Sequence, residues 1–216
     1  MTSEPEQILD HLYRPAANQT QNSEVLFLLH GYGSNKEDLF SFAKYLPAKF
    51  AIIALNAPHA LPFGGFAWYE LQFSATMERL SNYDQARNSL SLIAQNMAYY
   101  CERYQLDTSQ ISCLGFSQGA ILSWALGLDQ PQKIKQIIGL SGLIDSELLQ
   151  HPIEHYKNVV AFASHGTEDA TLPIAYTRET VDILHQNNPQ IRYQEYPAGH
   201  NINQENFSDM VNWLIR

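Results

Sequence analysis

The sequence is poor in basic residues and in cysteine. Its 216 residues include 13 lysines and arginines against 22 aspartates and glutamates, which leaves a formal net charge of −9. An acidic surface repels phosphate groups, so this balance argues against nucleic acid or an anionic membrane as the main partner. The 2 cysteines, Cys101 and Cys113, are too few for a disulfide framework.

Long apolar runs are also missing. No stretch approaches the roughly 18 consecutive apolar residues that a membrane-spanning helix needs. The first residues, MTSEPE, are polar and acidic, without the basic and apolar regions of a secretory signal. We therefore expect a cytoplasmic protein without a membrane span. The sequence contains no internal repeat or linker, so we expect a single domain over residues 1–216.

Apolar runs of strand length alternate with segments of helical periodicity. Residues 7–15 predict an edge strand, and further strands are predicted at 25–30, 50–56, from 111, 134–140, 159–164 and 191–196. Helices are predicted at 38–45, 83–104, 174–186 and 207–216. A further helix is predicted after Ser117, ending near residue 128. This alternation predicts an α/β fold, a mostly parallel sheet with helices on both faces. Residues 57–80 have no clear period and predict a long loop.

The strand that begins at Ile111 leads into Gly115-Phe116-Ser117-Gln118-Gly119, which has the G-x-S-x-G pattern of a nucleophile elbow. Glycines at the flanking positions leave room for a strained turn between strand and helix. The following helix directs its N-terminus at the serine, which favours negative charge there. The bare pattern also fits an ordinary turn with a capping serine. Ser117 is therefore the candidate nucleophile provided that an acid and then a histidine follow it.

A candidate base for Ser117 follows the last predicted strand. His200 lies in the loop after that strand, as the order serine, acid, histidine requires, although it could instead cap the last helix. His30 is better suited to holding loop backbone, and His59 lies in the long loop where it could touch a substrate. The remaining histidines have weaker positions: His11, His151, His155, His165 and His185.

A carboxylate is needed to hold the imidazole in one tautomer. Asp169 follows the strand predicted at 159–164 and is the first candidate, with Glu168 as the local alternative. Either acid could instead be a solvated loop residue or cap the helix that begins near Pro173. Asp145 follows the preceding strand, but its context favours a helix cap.

Backbone N–H groups are expected to bind the negative oxygen that forms during acyl transfer. One donor is the N–H of Gln118, the residue after the nucleophile, and the second is assigned to Tyr32, with Gly33 as the next candidate. Gly31 and Gly33 could also mark an ordinary glycine turn. Because only the backbone of Gln118 is used, we expect Gln118→Ala to be mild.

Four segments of the sequence resemble one family. They are LLHGYGSN at 28–35, GFSQG at 115–119, HGTED at 165–169 and Gly199-His200. Together they are similar to the phospholipase/carboxylesterase family of α/β-hydrolases, which includes bacterial carboxylesterases and acyl-protein thioesterases. The resemblance implies the α/β-hydrolase fold, the triad Ser117, Asp169 and His200, and the oxyanion donors above. Residues 170–173, ATLP, depart from the valine-rich run of many members, which bears on pocket shape.

The function we expect is that of a serine carboxylesterase acting on a small-molecule ester, with no metal or cofactor implied. Trp68, Tyr69 and Phe73 could line an apolar acyl or alcohol site, or could pack onto the core. Acyl thioesterase and lysophospholipase activities are the alternatives within enzymes. A dienelactone hydrolase is less favoured because that group uses cysteine where this chain has Ser117. A non-catalytic protein that binds a small ligand or peptide on the same fold is the other alternative, and a homodimer stays open.

Overall fold

The computed structural model describes the backbone of residues 4–21, 23–73 and 79–216, and their side chains except at 72, 73, 79 and 80. Seven strands form the central sheet: β1 (His11–Arg14), β2 (Val25–Leu29), β3 (Ala51–Leu55), β8 (Ile111–Phe116), β9 (Ile134–Leu140), β10 (Ala161–Gly166) and β11 (Ile191–Tyr196). Two small hairpins supply the remaining strands: β4 (His59–Ala60) with β5 (Phe66–Ala67), and β6 (Leu71–Phe73) with β7 (Arg79–Ser81).

The central sheet has the strand order β1-β3-β2-β8-β9-β10-β11. Every neighbouring pair is parallel except β1 and β3, which pair antiparallel at one edge. The predicted mostly parallel sheet and its edge strand are therefore confirmed. The segment predicted as a loop at 57–80 instead contains the two hairpins, except for residues 74–78, which lie outside the described part of the chain.

The described residues form five α-helices, of which the first four lie between strands and the last follows β11: α1 (Lys36–Phe40), α2 (Tyr83–Tyr104), α3 (Gln118–Asp129), α4 (Ile174–His185) and α5 (Gln204–Leu214). The helix predicted at 38–45 is shorter and starts earlier, because the side chain of Asn35 caps it by accepting the Glu37 N–H at 3.1 Å. A separate 3₁₀ turn follows it at Ala43–Tyr45. Among the described residues, none of the helices is both long and apolar enough to cross a lipid bilayer.

The alternation of side chains along β2 shows how both faces of the sheet are buried. Val25, Phe27 and Leu29 pack into the larger core beneath α2, α3 and α4. Leu26 and Leu28 point to the opposite face and pack with residues of α1 and α5. A strand covered on both sides must be apolar at every position, which explains the uninterrupted run in the sequence.

Parallel strands place their carboxyl ends at one edge of the sheet, where ligands bind in open α/β folds. At that edge β2 is followed by His30, β8 by Ser117, β10 by a loop that carries Asp169, and β11 by a loop that carries His200. The topology thus brings four separate parts of the sequence to the same end of the molecule.

Candidate active site

Ser117 occupies a strained turn between β8 and α3. Its φ of 52° and ψ of −115° are unfavourable for a residue with a Cβ atom. The turn depends on the two glycines of the motif, because a Cβ on Gly115 would lie 2.2 Å from the Gly119 carbonyl oxygen. A Cβ on Gly119 would lie 2.0 Å from the carbonyl oxygen of Leu29. Only glycine at both positions allows β8, α3 and β2 to approach this closely.

The Ser117 hydroxyl faces the His200 imidazole. Its Oγ lies 2.9 Å from His200 Nε2, and the other ring nitrogen, Nδ1, lies 2.6 Å from Oδ2 of Asp169. Within the described residues, Ser117 makes no side-chain hydrogen bond that would cap α3. The structure therefore brings the three residues of the predicted triad into one hydrogen-bonded chain, and their chemical roles stay predictions.

The loops that carry Asp169 and His200 are joined by backbone hydrogen bonds beyond the end of the sheet. The N–H of Thr167 donates to the Tyr196 carbonyl at 2.8 Å, and that of Glu168 donates to the Ala198 carbonyl at 3.0 Å. Gly166 permits this contact, because a Cβ there would lie 2.3 Å from the Ala198 carbonyl oxygen. The acid and the imidazole are thus held by a continuation of the β10–β11 pairing.

The Asp169 carboxylate is buried and held at both oxygens. Oδ1 accepts the backbone N–H groups of Thr171 and Leu172 at 2.9 and 2.8 Å, while Oδ2 accepts from His200. The side chain has no exposed surface. Of the alternatives, Glu168 is exposed, and Asp145 accepts the Glu147 N–H in a 3₁₀ turn, which is the capping role considered for it.

The loop after β2 passes directly over the elbow. A Cβ placed on Gly31 would lie 3.3 Å from Ser117 Cβ, so the next residue, Tyr32, starts beside the nucleophile. Gly33 N–H already donates to the Phe66 carbonyl at 2.9 Å, which makes it unsuitable as the alternative donor. In the described part of the chain, the N–H groups of Tyr32 and Gln118 have no backbone acceptor. Both N–H groups therefore stay candidates for the oxyanion donors.

The His30 side chain holds the backbone of the loop that follows β2. Its buried ring accepts the Ala57 N–H at Nε2, at 3.0 Å, so the hydrogen sits on Nδ1 and is donated to the Gly31 carbonyl at 2.8 Å. The His30 carbonyl in turn accepts the indole N–H of Trp68 at 2.9 Å. Burial lowers the pKa of His30 from its ordinary 6.5. The neutral ring is therefore part of the folded structure, as expected for a residue that holds loop backbone.

This lowered pKa predicts a loss of stability in acid. Below about pH 6.5 the unfolded chain protonates His30 while the folded chain keeps it neutral, so the free energy of unfolding falls as the pH drops towards the folded pKa. Urea denaturation at a series of pH values should show this decrease, and His30→Gln should reduce the slope. Burial also lowers the pKa of His11, so His11 makes a second contribution to the pH dependence of stability. The variant His11→Gln measures that contribution separately. An unchanged slope in the His30 variant would contradict the assignment.

Of the two interpretations given for Trp68 and Tyr69, the structure favours packing onto the core. Both side chains are fully buried in the larger core. The indole is held by its bond to His30, and the backbone of this segment is held by Gln118. Phe73 ends β6, and its side chain lies outside the described residues. Replacing Trp68 would therefore open a core cavity rather than reshape a substrate surface.

The Gln118 side chain has a function that the sequence did not indicate. It is buried, its Oε1 accepts the Trp68 N–H at 2.9 Å, and its Nε2 donates to the Tyr69 carbonyl at 2.8 Å. The residue after the nucleophile thus clamps the segment that supports the His30 loop. The prediction that Gln118→Ala has a mild effect on turnover considered only the backbone N–H and stays a prediction, while the side-chain contacts add an expected cost in stability.

We expect Gln118→Ala to lower the free energy of unfolding, because the buried backbone N–H of Trp68 loses its acceptor. An unsatisfied buried group of this kind costs roughly 1–3 kcal/mol. Urea denaturation measures the effect, and Gln132→Ala, at an exposed position, is the control that should change little. Equal midpoints for Gln118→Ala and the control would mean that the clamp contributes nothing.

Two further contacts at the site were not predicted. The Phe116 ring lies against His200, with centroids 5.0 Å apart. His165, one of the weaker histidine candidates, is fully buried and lies 3.2 Å from Asp169 Oδ2. The sequence signal for both was their place inside the motifs at 115–119 and 165–169, but neither spacing indicates which neighbour a side chain meets.

The comparisons with known proteins identify the family of the chain. The sequence model of the phospholipase/carboxylesterase family matches residues 15–215. The chain belongs to this family. Family membership makes it a hydrolase of esters or thioesters, built on the α/β-hydrolase fold that the resemblance had implied.

Similar proteins match between about three quarters and nearly all of the chain. The acyl-protein thioesterase 1 of Cryptococcus neoformans is 25% identical over 232 residues, which cover 96% of this chain and 97% of that protein. The acyl-protein thioesterase 1 of Saccharomyces cerevisiae is 31% identical over 176 residues, which cover 74% and 77%. The crystal structure of esterase PE8 superposes with a TM-score of 0.82 at 25% identity, covering 96% of this chain and 98% of that one.

Proposed function

We propose that this hydrolase cleaves carboxylic esters through an acyl-enzyme on Ser117. The observation that carries the proposal is the chain of contacts from Ser117 Oγ to His200 Nε2 at 2.9 Å and from His200 Nδ1 to Asp169 Oδ2 at 2.6 Å. A serine hydroxyl needs a positioned base to become a nucleophile, and an imidazole needs a fixed tautomer to serve as that base. Both conditions are met by these contacts.

In the first half of the reaction Ser117 Oγ attacks the acyl carbon while His200 Nε2 takes its proton. Asp169 keeps the hydrogen of the neutral ring on Nδ1 and stabilises the imidazolium that forms. The N–H groups of Tyr32 and Gln118 donate to the developing oxyanion. The intermediate then expels the alcohol, which receives the proton from His200.

In the second half a water molecule replaces the alcohol. His200 takes a proton from the water, the resulting hydroxide attacks the acyl carbon, and the same donors hold the second oxyanion. Release of the acid returns the proton from His200 to Ser117. No net proton remains on the protein at the end of the cycle, so the acid product leaves an enzyme ready for the next ester.

The acyl or alcohol part of the substrate is assigned to the surface formed by Tyr32 and Phe63. Phe63 lies between β4 and β5 and is 73% exposed, and its ring centroid lies 6.4 Å from that of Tyr32. Tyr32 follows Gly31, which contacts the elbow. The half-buried Tyr32 ring and the exposed Phe63 ring replace the buried Trp68 as the candidates for apolar contact.

Thioesterase activity is the second candidate, because both curated relatives above are acyl-protein thioesterases. The same triad accepts either substrate, since only the leaving group differs. Lysophospholipase activity would need a longer acyl chain at the same surface. A non-catalytic binding protein is disfavoured by a hydroxyl that is free of capping bonds within the described residues and is paired with a histidine.

The proposal is tested by hydrolysis of p-nitrophenyl esters from acetate to palmitate, with acyl-coenzyme A thioesters of the same chain lengths. We expect ester hydrolysis, labelling by a fluorophosphonate probe, and a changed chain-length profile in Phe63→Ala with little change on the acetate ester. Preference for the matched thioesters would favour the second candidate. A folded protein that neither labels nor hydrolyses any member of the panel would refute the enzymatic proposal.

A further inference from the structure

A second histidine shares the carboxylate of the proposed triad. His165 lies on β10, four residues before Asp169, and its side chain has no exposed surface. Its Nε2 lies 2.7 Å from the Leu172 carbonyl oxygen and 3.2 Å from Asp169 Oδ2. The Leu172 carbonyl accepts the hydrogen of Nε2, and Asp169 Oδ2 lies close to the same nitrogen. The same Oδ2 accepts from His200 at 2.6 Å, which places two imidazoles on one carboxylate oxygen.

The contacts close a small structural unit around Asp169. The Leu172 carbonyl accepts from His165, while the Leu172 N–H donates to Asp169 Oδ1 at 2.8 Å. The turn that presents the carboxylate is therefore held at its far end by the His165 ring. A shift of this ring would move the carboxylate relative to His200.

The opposite side of the His165 ring is anchored to the region behind the nucleophile. Nδ1 lies 3.0 Å from the Thr177 hydroxyl oxygen, and that oxygen lies 2.8 Å from the Gly142 carbonyl oxygen. A Cβ on Gly142 would lie 3.0 Å from the Ser117 carbonyl oxygen, so this turn packs against the elbow. His165 thus links the acid loop to the backbone that supports Ser117.

We propose that His165 is a positioning residue that sets the place and the effective charge of Asp169 at His200. This inference rests on the proposed role of the triad. Burial of an imidazole costs free energy unless its two nitrogens have hydrogen-bond partners, and His165 has a partner at each. Without the His165 ring, the Leu172 turn that presents the carboxylate would be less firmly held and the charge of the carboxylate less compensated. The less compensated charge would stabilise the His200 imidazolium before the reaction begins.

In the part of the chain that the structure describes, the charged groups that face the His165 ring are paired. On β11 the residue opposite His165 is Glu195, which binds Arg178 of α4 through contacts of 2.6 and 2.7 Å. On its own loop the charged partner is Asp169, and beyond it His200. The change in pH dependence described below is therefore assigned to the Asp169–His200 pair.

The variants His165→Leu and His165→Gln test the proposal, with His185→Gln, at an exposed position, as the control. We expect His165→Leu to lower kcat roughly 10–100-fold with KM nearly unchanged, because misplacement of a catalytic group acts on the chemical step. The rising limb of the plot of kcat/KM against pH should move to higher pH. Glutamine can present an N–H near the position of Nε2, so His165→Gln should recover most of the loss.

A double-variant cycle separates positioning from general packing. If His165 acts through Asp169, His165→Leu should have little further effect on the residual activity of Asp169→Asn. Equal losses in both backgrounds, or wild-type kcat and pH profile in folded His165→Leu, would overturn the inference. If the leucine variant does not fold, the test is the NMR chemical shift of the His165 Nε2–H, compared between the wild type and Asp169→Asn. The resonance is assigned by its loss in His165→Gln. A resonance that does not move overturns the proposal.

Failure of this inference is distinguishable from failure of the proposed function. If Ser117→Ala is inactive while His165→Leu behaves as the wild type, only the role of His165 is refuted. If Ser117→Ala hydrolyses the ester as well as the wild type does, the proposed triad itself falls and the positioning of Asp169 has no catalytic meaning.

Discussion

Ser117→Ala is expected to lower kcat for a short-chain ester by roughly 10⁴–10⁶-fold, the range for removal of a serine nucleophile from a triad. The physical reason is that Oγ is the atom that forms the acyl-enzyme. Among the described residues, Ser117 is the one whose hydroxyl forms a hydrogen bond with His200 Nε2, at 2.9 Å. Steady-state hydrolysis and fluorophosphonate labelling measure the loss. The fold should persist, because the hydroxyl makes no capping bond in the described chain.

The companion variants test whether the three residues act as one unit. His200→Ala should cost about as much as Ser117→Ala, and Asp169→Asn roughly 10⁴-fold, because the imidazole then loses its correct tautomer. The double variant of Ser117 and His200 should be little worse than either single variant. If the loss in the double variant were the product of the two single losses, or if folded Ser117→Ala still hydrolysed the ester substantially, the chemistry would lie elsewhere.

Tyr32→Pro is expected to reduce kcat roughly 10²–10³-fold, since loss of one oxyanion donor costs about 2.7–4 kcal/mol. Proline has no N–H, and the structure leaves that of Tyr32 beside Ser117 without a backbone acceptor in the described part of the chain. The alternative donor, Gly33, is already bonded to Phe66. Tyr32→Ala retains the N–H and is the matched control, with a small effect expected on an acetate ester.

Proline can also disturb the loop itself, because it fixes φ and restricts Gly31 before it. The comparison therefore uses proteins whose thermal unfolding matches the wild type and whose Ser117 still labels, even slowly. A ratio near one between the alanine and proline variants would show that the second oxyanion donor is not Tyr32. A large ratio with equal folding supports the backbone N–H.

The strands and helices could be predicted from the sequence because the signals are local. Complete burial makes β2 and β3 continuously apolar, and the 22 residues of α2 show the helical period from end to end. The short helix α1 was harder to delimit, because its start depends on the side-chain cap from Asn35. The hairpins at 59–67 and around 71–81 lack a strong period and were missed.

The candidate site was predicted as far as motif order and strand ends allow. Ser117, Asp169 and His200 follow one another at the ends of three strands, and parallel pairing forces those ends together. The sequence could not indicate that Trp68 is buried, because an aromatic residue in a loop can face either the core or a ligand. Contact with Gln118, 50 residues away, decides between them.

The sequence by itself determined the elbow, the order of the candidate catalytic residues and the sheet that aligns them. These features follow from burial and from the size of glycine, which act on neighbouring residues. Only the tertiary structure decided that Gly33 is already engaged, that the Gln118 side chain clamps a distant segment, and that His165 shares Asp169 with His200. Such choices depend on which buried polar groups find partners, and those partners come from elements that meet only in the folded chain.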